Sequence, residues 1–188
     1  MKEIDENEGM YGRNLDENGA TLDSLRRRYQ DRIGSLAELF IYHYLNRNSS
    51  GNSFDENNWV SSGRMNFFPR SNPSTCDDTL GYDFVFHDVN GNFGRGKDAI
   101  FYIEVKGHLW APRYSLFLSS NEWETAIQKA NISQASKRNE NYVVAVVSLT
   151  LPPTILYWLE DLPEALEKGE ISIKPSEYLL RINKRMDS

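Results

Sequence analysis

Residues 81–107 read GYDFVFHDVNGNFGRGKDAIFYIEVKG, and the division of this stretch decides the fold. Both of its ends alternate. Tyr82, Phe84 and Phe86 oppose Asp83, Val85 and His87 in the first; Ile100, Tyr102, Glu104 and Lys106 oppose Phe101, Ile103 and Val105 in the second. Period two is the mark of a strand, because successive side chains leave opposite faces. Between them, Asn90 to Gly96 is turn chemistry rich in glycine and asparagine, so the two runs form a hairpin. A carboxylate and a lysine two residues apart thus project from one face of an otherwise apolar strand. Asp83, on the preceding strand, can reach the same spot.

Working outward, a long helix is expected from Thr21 or Asp23 to Leu45. Leu25, Tyr29, Ile33, Leu36, Ala37, Phe40, Ile41 and Tyr44 recur at spacings of three and four and predict a broad buried stripe. Asn46 to Asn58 ends it in a loop. Trp59 to Phe68 reads as a strand closed by Pro69, and Ser71 to Thr79 as a loop delivering the chain to Gly81. Past the hairpin, Tyr114 to Leu118 is extended. Ser119 and Glu122 have capping-box spacing and open a helix through about Ile132. Tyr142 to Leu149 is a β-branched run, hence a buried strand. Ile155 to Leu159 makes another strand, Leu162 to Lys168 a short helix stopped by Gly169, and Ile171 to Ile173 and Tyr178 to Ile182 edge or terminal segments. The expectation is an α/β fold of order α-β-β-β-α-β, with one mixed central sheet flanked by helices.

Composition narrows the class. With 188 residues the chain can bury a core of its own. Residues 1–20 read as a disordered acidic lead. Residues 21–188 read as a single domain with its core over about 31–149 and an extension over 150–188. No run of about 18 apolar residues exists to cross a membrane, and the acidic start argues against a secretory signal. The single cysteine, Cys76, makes no internal disulfide, which suits an intracellular, cytoplasmic or nuclear setting. Three histidines and one cysteine leave little material for zinc. A net charge of −6 argues against bulk attraction to nucleic acid, so such binding would use local basic patches or a partner.

Asp83 followed, after a hairpin-sized gap, by Glu104-Val105-Lys106 resembles the PD-(D/E)XK nuclease superfamily. Ile33-Gly34-Ser35-Leu36-Ala37-Glu38 looks like the glutamate-bearing first helix of that superfamily, and Ile103 to Gly107 matches its local form. Phe117 to Trp123, with Ala126 after it, resembles one branch, the C-terminal domain of the plant NO VEIN protein and its relatives. The likeness spans roughly Asp31 to Leu149. It departs at His108, where relatives carry a small hydroxyl residue, and in the long connection from Ser49 to Leu80. It implies a restriction-endonuclease-like core and a metal-dependent nuclease acting on DNA or RNA. It also implies the backbone carbonyl of Val105 as a third metal ligand beside Asp83 and Glu104.

The chemistry can be argued from the residues themselves. Phosphodiester hydrolysis needs charge neutralisation, an activated water and help for the leaving oxygen. Hard carboxylate oxygens suit Mg²⁺ or Mn²⁺, so Asp83 and Glu104 are the expected ligands. Lys106, its basicity depressed beside a cation, would orient or deprotonate the attacking water. Glu38 would approach from the helix, toward a water or a second ion. His108 and Asn121 are candidate substrate contacts, and Arg26, Arg27, Lys137 and Arg138 candidate backbone contacts.

Blander readings stand beside these. Glu104 and Lys106 could be a surface pair worth a few tenths of a kcal/mol. Glu122 reads as a cap partner, Asn121 serves a turn as well as a substrate, and Trp123 reads as core. The rival to an enzyme is a catalytically inactive nuclease-fold module that binds nucleic acid or protein within a larger assembly. An ATPase or helicase partner would fit either reading, and a homodimer would suit double-strand cutting.

Overall fold

A computed structural model describes residues 22–49, 54–109, 115–136, 139–174 and 178–182. The elements are α1 (Leu22–Asn48), β1 (Phe84–Asp88), β2 (Ala99–His108), β3 (Ser115–Leu118), α2 (Ser120–Ser136), β4 (Glu140–Ser148), β5 (Thr154–Glu160), α3 (Leu162–Glu167), β6 (Ile171–Lys174) and β7 (Tyr178–Ile182). The first six run α-β-β-β-α-β, with β3 in the place of the strand expected over Trp59 to Phe68. Residue contacts divide the chain into residues 1–32 and 33–188, and the second unit holds every element after α1. The expected acidic lead, residues 1–20, lies outside the described residues.

The α/β class is as expected. A four-stranded sheet runs β1-β2-β4-β5, with β2 and β4 parallel and the other neighbours antiparallel. A parallel pair needs a crossover, and β3 with α2 lies on that path. The hairpin is the one read from the turn residues. Phe84 pairs with Ile103 and Asp88 with Ala99, and buried Asp88 accepts from the Asn92 and Phe93 N–H groups at 2.9 and 2.8 Å, closing the turn.

The sheet is covered on both faces. Ala37, Ile41 and Leu45 of α1 pack with Phe54, Trp59, Phe84, Phe86, Phe101, Ile103, Val143 and Ala145 in an aromatic layer. On the other face Tyr142, Val144 and Val146 meet Leu116, Leu118, Trp123, Ala126 and Leu162. The β-branched run of β4 is explained by this: both its faces are buried. Gly107 sets the spacing under α1. A Cβ there would lie 2.8 Å from Ala37 Cβ and 2.9 Å from the Ile33 carbonyl oxygen, so only glycine lets helix and strand approach this closely.

Four expectations are corrected. Trp59 to Phe68 is not a strand. Trp59 makes one bridge to Phe84, and the chain then turns through a 3-10 segment, Ser62–Asn66. Arg64 drives that turn: it is fully buried and donates to the carbonyls of Glu56 and Asn72 at 2.9 and 3.1 Å. The α1 stripe is narrower than its apolar spacing suggests. The buried residues are the i, i+4 row of Ala37, Ile41 and Leu45 with Tyr42 beside it, while Leu25, Tyr29, Leu36 and Tyr44 are exposed. Tyr82 does not share a face with Phe84, because it precedes β1 and packs on Tyr102, 5.0 Å between centroids, across the sheet from the aromatic layer. Finally, β3, β7 and β6 form a separate antiparallel sheet and not the edge of one sheet.

Candidate metal and phosphodiester site

Asp83 stands one residue before β1, where the ladder with β2 is ending. Its N–H donates to the Ile103 carbonyl at 2.8 Å, and its carbonyl accepts from the Val60 N–H at 2.7 Å. The backbone bend that aims it is Gly81, at φ 76°, whose carbonyl accepts from the Tyr142 hydroxyl at 2.7 Å. Asp83 Oδ2 accepts from the Val105 N–H at 2.8 Å. The N–H and C=O of one strand residue leave the same edge, so the Val105 carbonyl faces the side on which Asp83 sits. Continuing the register by one residue sets Asp83 opposite Glu104.

The electrostatics agree with that proximity. Burial, then Glu104, then Glu38 hold the Asp83 carboxyl well above the usual carboxylate range. Burial pushes Glu104 up to about 7; Lys106 pulls against the rise, while Glu122 and Glu38 add to it. A buried carboxyl raised by two neighbouring carboxylates, as Asp83 is by Glu104 and Glu38, is a place where a divalent cation would relieve repulsion.

Lys106 Nζ lies 2.8 Å from Glu104 Oε1 and 2.8 Å from Glu122 Oε2. Burial alone would favour the neutral amine, but Glu104 and Glu122 outweigh it and hold Lys106 above its ordinary value. Between these two carboxylates Lys106 is held as the ammonium. Glu122 also completes the predicted capping box, accepting from the Ser119 N–H at 3.0 Å while Ser119 Oγ accepts from the Glu122 N–H at 3.2 Å. Sequence reasoning saw the cap and missed the lysine. The missed signal was a carboxylate at the start of the helix that follows the Glu-x-Lys strand.

Glu38 lies on α1 and is gripped by the long connection from Ser49 to Leu80. Trp59 Nε1 donates to its Oε2 at 2.8 Å, and the Ser61 hydroxyl donates to the same oxygen. Gly63 makes the room, since a Cβ there would lie 2.6 Å from Oε2. Burial raises the Glu38 carboxyl, Ser61 and Trp59 oppose the rise, and Asp78 adds to it. Asp78 is itself held by the Ser62 N–H at 2.7 Å. Nothing in the sequence marked Trp59, Ser61 or Asp78 for this duty.

Glu38, Asp83, Glu104 and Lys106 therefore lie within reach of one another's charge. His108 is half-buried near them, its Nε2 without a hydrogen-bond partner, and burial and then Lys106 depress its basicity. Asn121 Nδ2 donates to the Thr79 carbonyl at 2.7 Å. Arg26 and Arg27 are exposed on α1 in the unit of residues 1–32, and Lys137 and Arg138 lie outside the described residues. Among the described residues no group of three or more His, Cys, Asp or Glu forms a cage for a metal. Two carboxylates and a carbonyl are the kind of donor set that Mg²⁺ or Mn²⁺ would take, since these ions bind through one or two carboxylates and leave the other positions to water and substrate.

Comparison with known proteins adds one finding. The family model described as protein NO VEIN, C-terminal, matches residues 37–154, from the turn of α1 that carries Glu38 to the start of β5. No curated protein and no solved structure matches the chain. The match covers more than half of the sequence and every residue of the acidic cluster, and the chain belongs to the NO VEIN C-terminal family.

Proposed function

We infer that this chain is a metal-dependent phosphodiesterase of the PD-(D/E)XK nuclease type, hydrolysing DNA or RNA. The observation that carries the reading is the convergence of Asp83, Glu104, Glu38 and Lys106 from a helix and two paired strands. Asp83, Glu104 and the Val105 carbonyl would hold Mg²⁺ or Mn²⁺. When bound, such an ion supplies neutralisation of the negative charge at the scissile phosphate. Lys106 brings a fixed positive charge and N–H donors that orient the attacking water and offset charge developing on the phosphoryl oxygens. Glu38, held through Oε2 by Trp59 and Ser61, keeps Oε1 to accept a hydrogen bond from that water. With a net charge of −6 the chain gains nothing from bulk attraction, so binding leans on the ion, local basic residues or an attached ATPase or helicase.

Incubation with a supercoiled plasmid and with single-stranded RNA tests this. Cleavage is expected with Mg²⁺ or Mn²⁺, none with chelator, and a loss of about 10²-fold or more in Asp83→Asn and in Lys106→Ala. Full activity in both variants rules the reading out. One observation favours an inactive binding module: Lys106 is already engaged by two carboxylates. That alternative predicts no cleavage and no rise in thermal midpoint with Mn²⁺.

A further inference from the structure

Lys106 has two carboxylates in reach where the proposed chemistry uses one. Nζ is 2.8 Å from Glu104 Oε1 and 2.8 Å from Glu122 Oε2. The two partners differ in how they are held. Glu122 Oε2 is fixed independently of the lysine by the Ser119 N–H at 3.0 Å, in the first turn of α2. That turn is fastened in its own right to the segment leading into Asp83. Asn121 Nδ2 donates to the Thr79 carbonyl at 2.7 Å, and Thr125 Oγ1 to the Leu80 carbonyl at 3.3 Å. Among the described residues the Glu104 carboxylate has no such second anchor, and it is the partner that a cation shared with Asp83 would draw away.

Ion and ammonium thus compete for one carboxylate, and each repels the other. Without a second anion the lysine would fall wholly on Glu104 and oppose the ion. We propose that Glu122 is a positioning residue that retains the Lys106 ammonium and so releases Glu104 to a divalent cation; the inference rests on the metal-site reading above. Helix capping by itself does not require this. A capping box is satisfied by glutamine as well as glutamate, whereas only the carboxylate holds an ammonium by charge.

Mn²⁺ titration by calorimetry, on the full chain and four variants, separates the roles. Glu122→Gln keeps the cap and is expected to weaken Mn²⁺ binding about tenfold, equivalent to about 1.4 kcal/mol. Ser119→Ala weakens the cap, lowers the thermal midpoint and leaves Mn²⁺ affinity unchanged. In a Lys106→Met background, Glu122→Gln has no further effect, since the lysine through which it acts is gone. The proposal is overturned by unchanged affinity in Glu122→Gln. It is overturned as well by an equal loss in Ser119→Ala, or by the full loss persisting in Lys106→Met, which would mean direct attraction of the ion by a distant charge. A wild-type chain that binds no Mn²⁺ overturns the metal-site reading itself, and this inference with it.

Discussion

Glu104 carries the cost of the site. It is 7% exposed, and its carboxyl is pushed up to about 7. A raised carboxyl binds its proton more tightly in the fold than in the unfolded chain. Its contribution to stability is therefore complete below the unfolded value, about 4.3, and is lost as pH climbs through about 7. With chelator present, the wild type should lose on the order of 3 kcal/mol relative to Glu104→Gln between pH 4.5 and pH 8. Urea midpoints for both proteins across that range would check it; parallel curves would refute it. Glutamine at this position should therefore make the metal-free chain more robust at alkaline pH, where the ionised site is most strained.

At the scale of elements, the approach of α1 to β2 decides whether Glu38 reaches the cluster. Gly107 is the pivot. Gly107→Ala places a methyl 2.9 Å from the Ile33 carbonyl oxygen, backbone that cannot swing aside. A loss of about 1–3 kcal/mol is expected, with activity falling further than the folded fraction does, measured by denaturant titration beside the nicking assay. An unchanged midpoint would show that the helix yields freely. The alternation in residues 81–107 made the hairpin and the pairing of Glu104 with Lys106 legible, because period two is a local property of the chain. The capping box of α2 was legible for the same reason. What grips Glu38 was not: Trp59, Ser61 and Gly63 lie in a segment with no period, shaped around the buried Arg64. Side chains that satisfy a partner more than 20 residues away leave no trace in local spacing. The breadth of the α1 stripe misled for a related reason, since apolar recurrence states what can be buried and not what meets it.

For the whole molecule, the segment beyond the family match is structural. β5 pairs with β4, while β7 pairs with β3 through Ser115–Arg181 to Leu118–Tyr178. Removing residues 171–188 would leave β3 without that neighbour and take Ile171 from the layer that holds Leu116, Leu118 and Trp123. Since a kcal/mol is worth about 2–4 °C at this size, the thermal midpoint should fall by roughly 5–15 °C; an unaltered melt would mean that the second sheet is an ornament. The interior place of β2, between β1 and β4, has a consequence of its own. Sliding this strand by a single position would swing an acid and an ammonium into hydrocarbon beneath the long helix and turn Phe101, Ile103 and Val105 the other way. Misaligned pairings are thereby penalised from the moment the sheet assembles, so the groups suited to chemistry also proofread the folding of the strand that bears them.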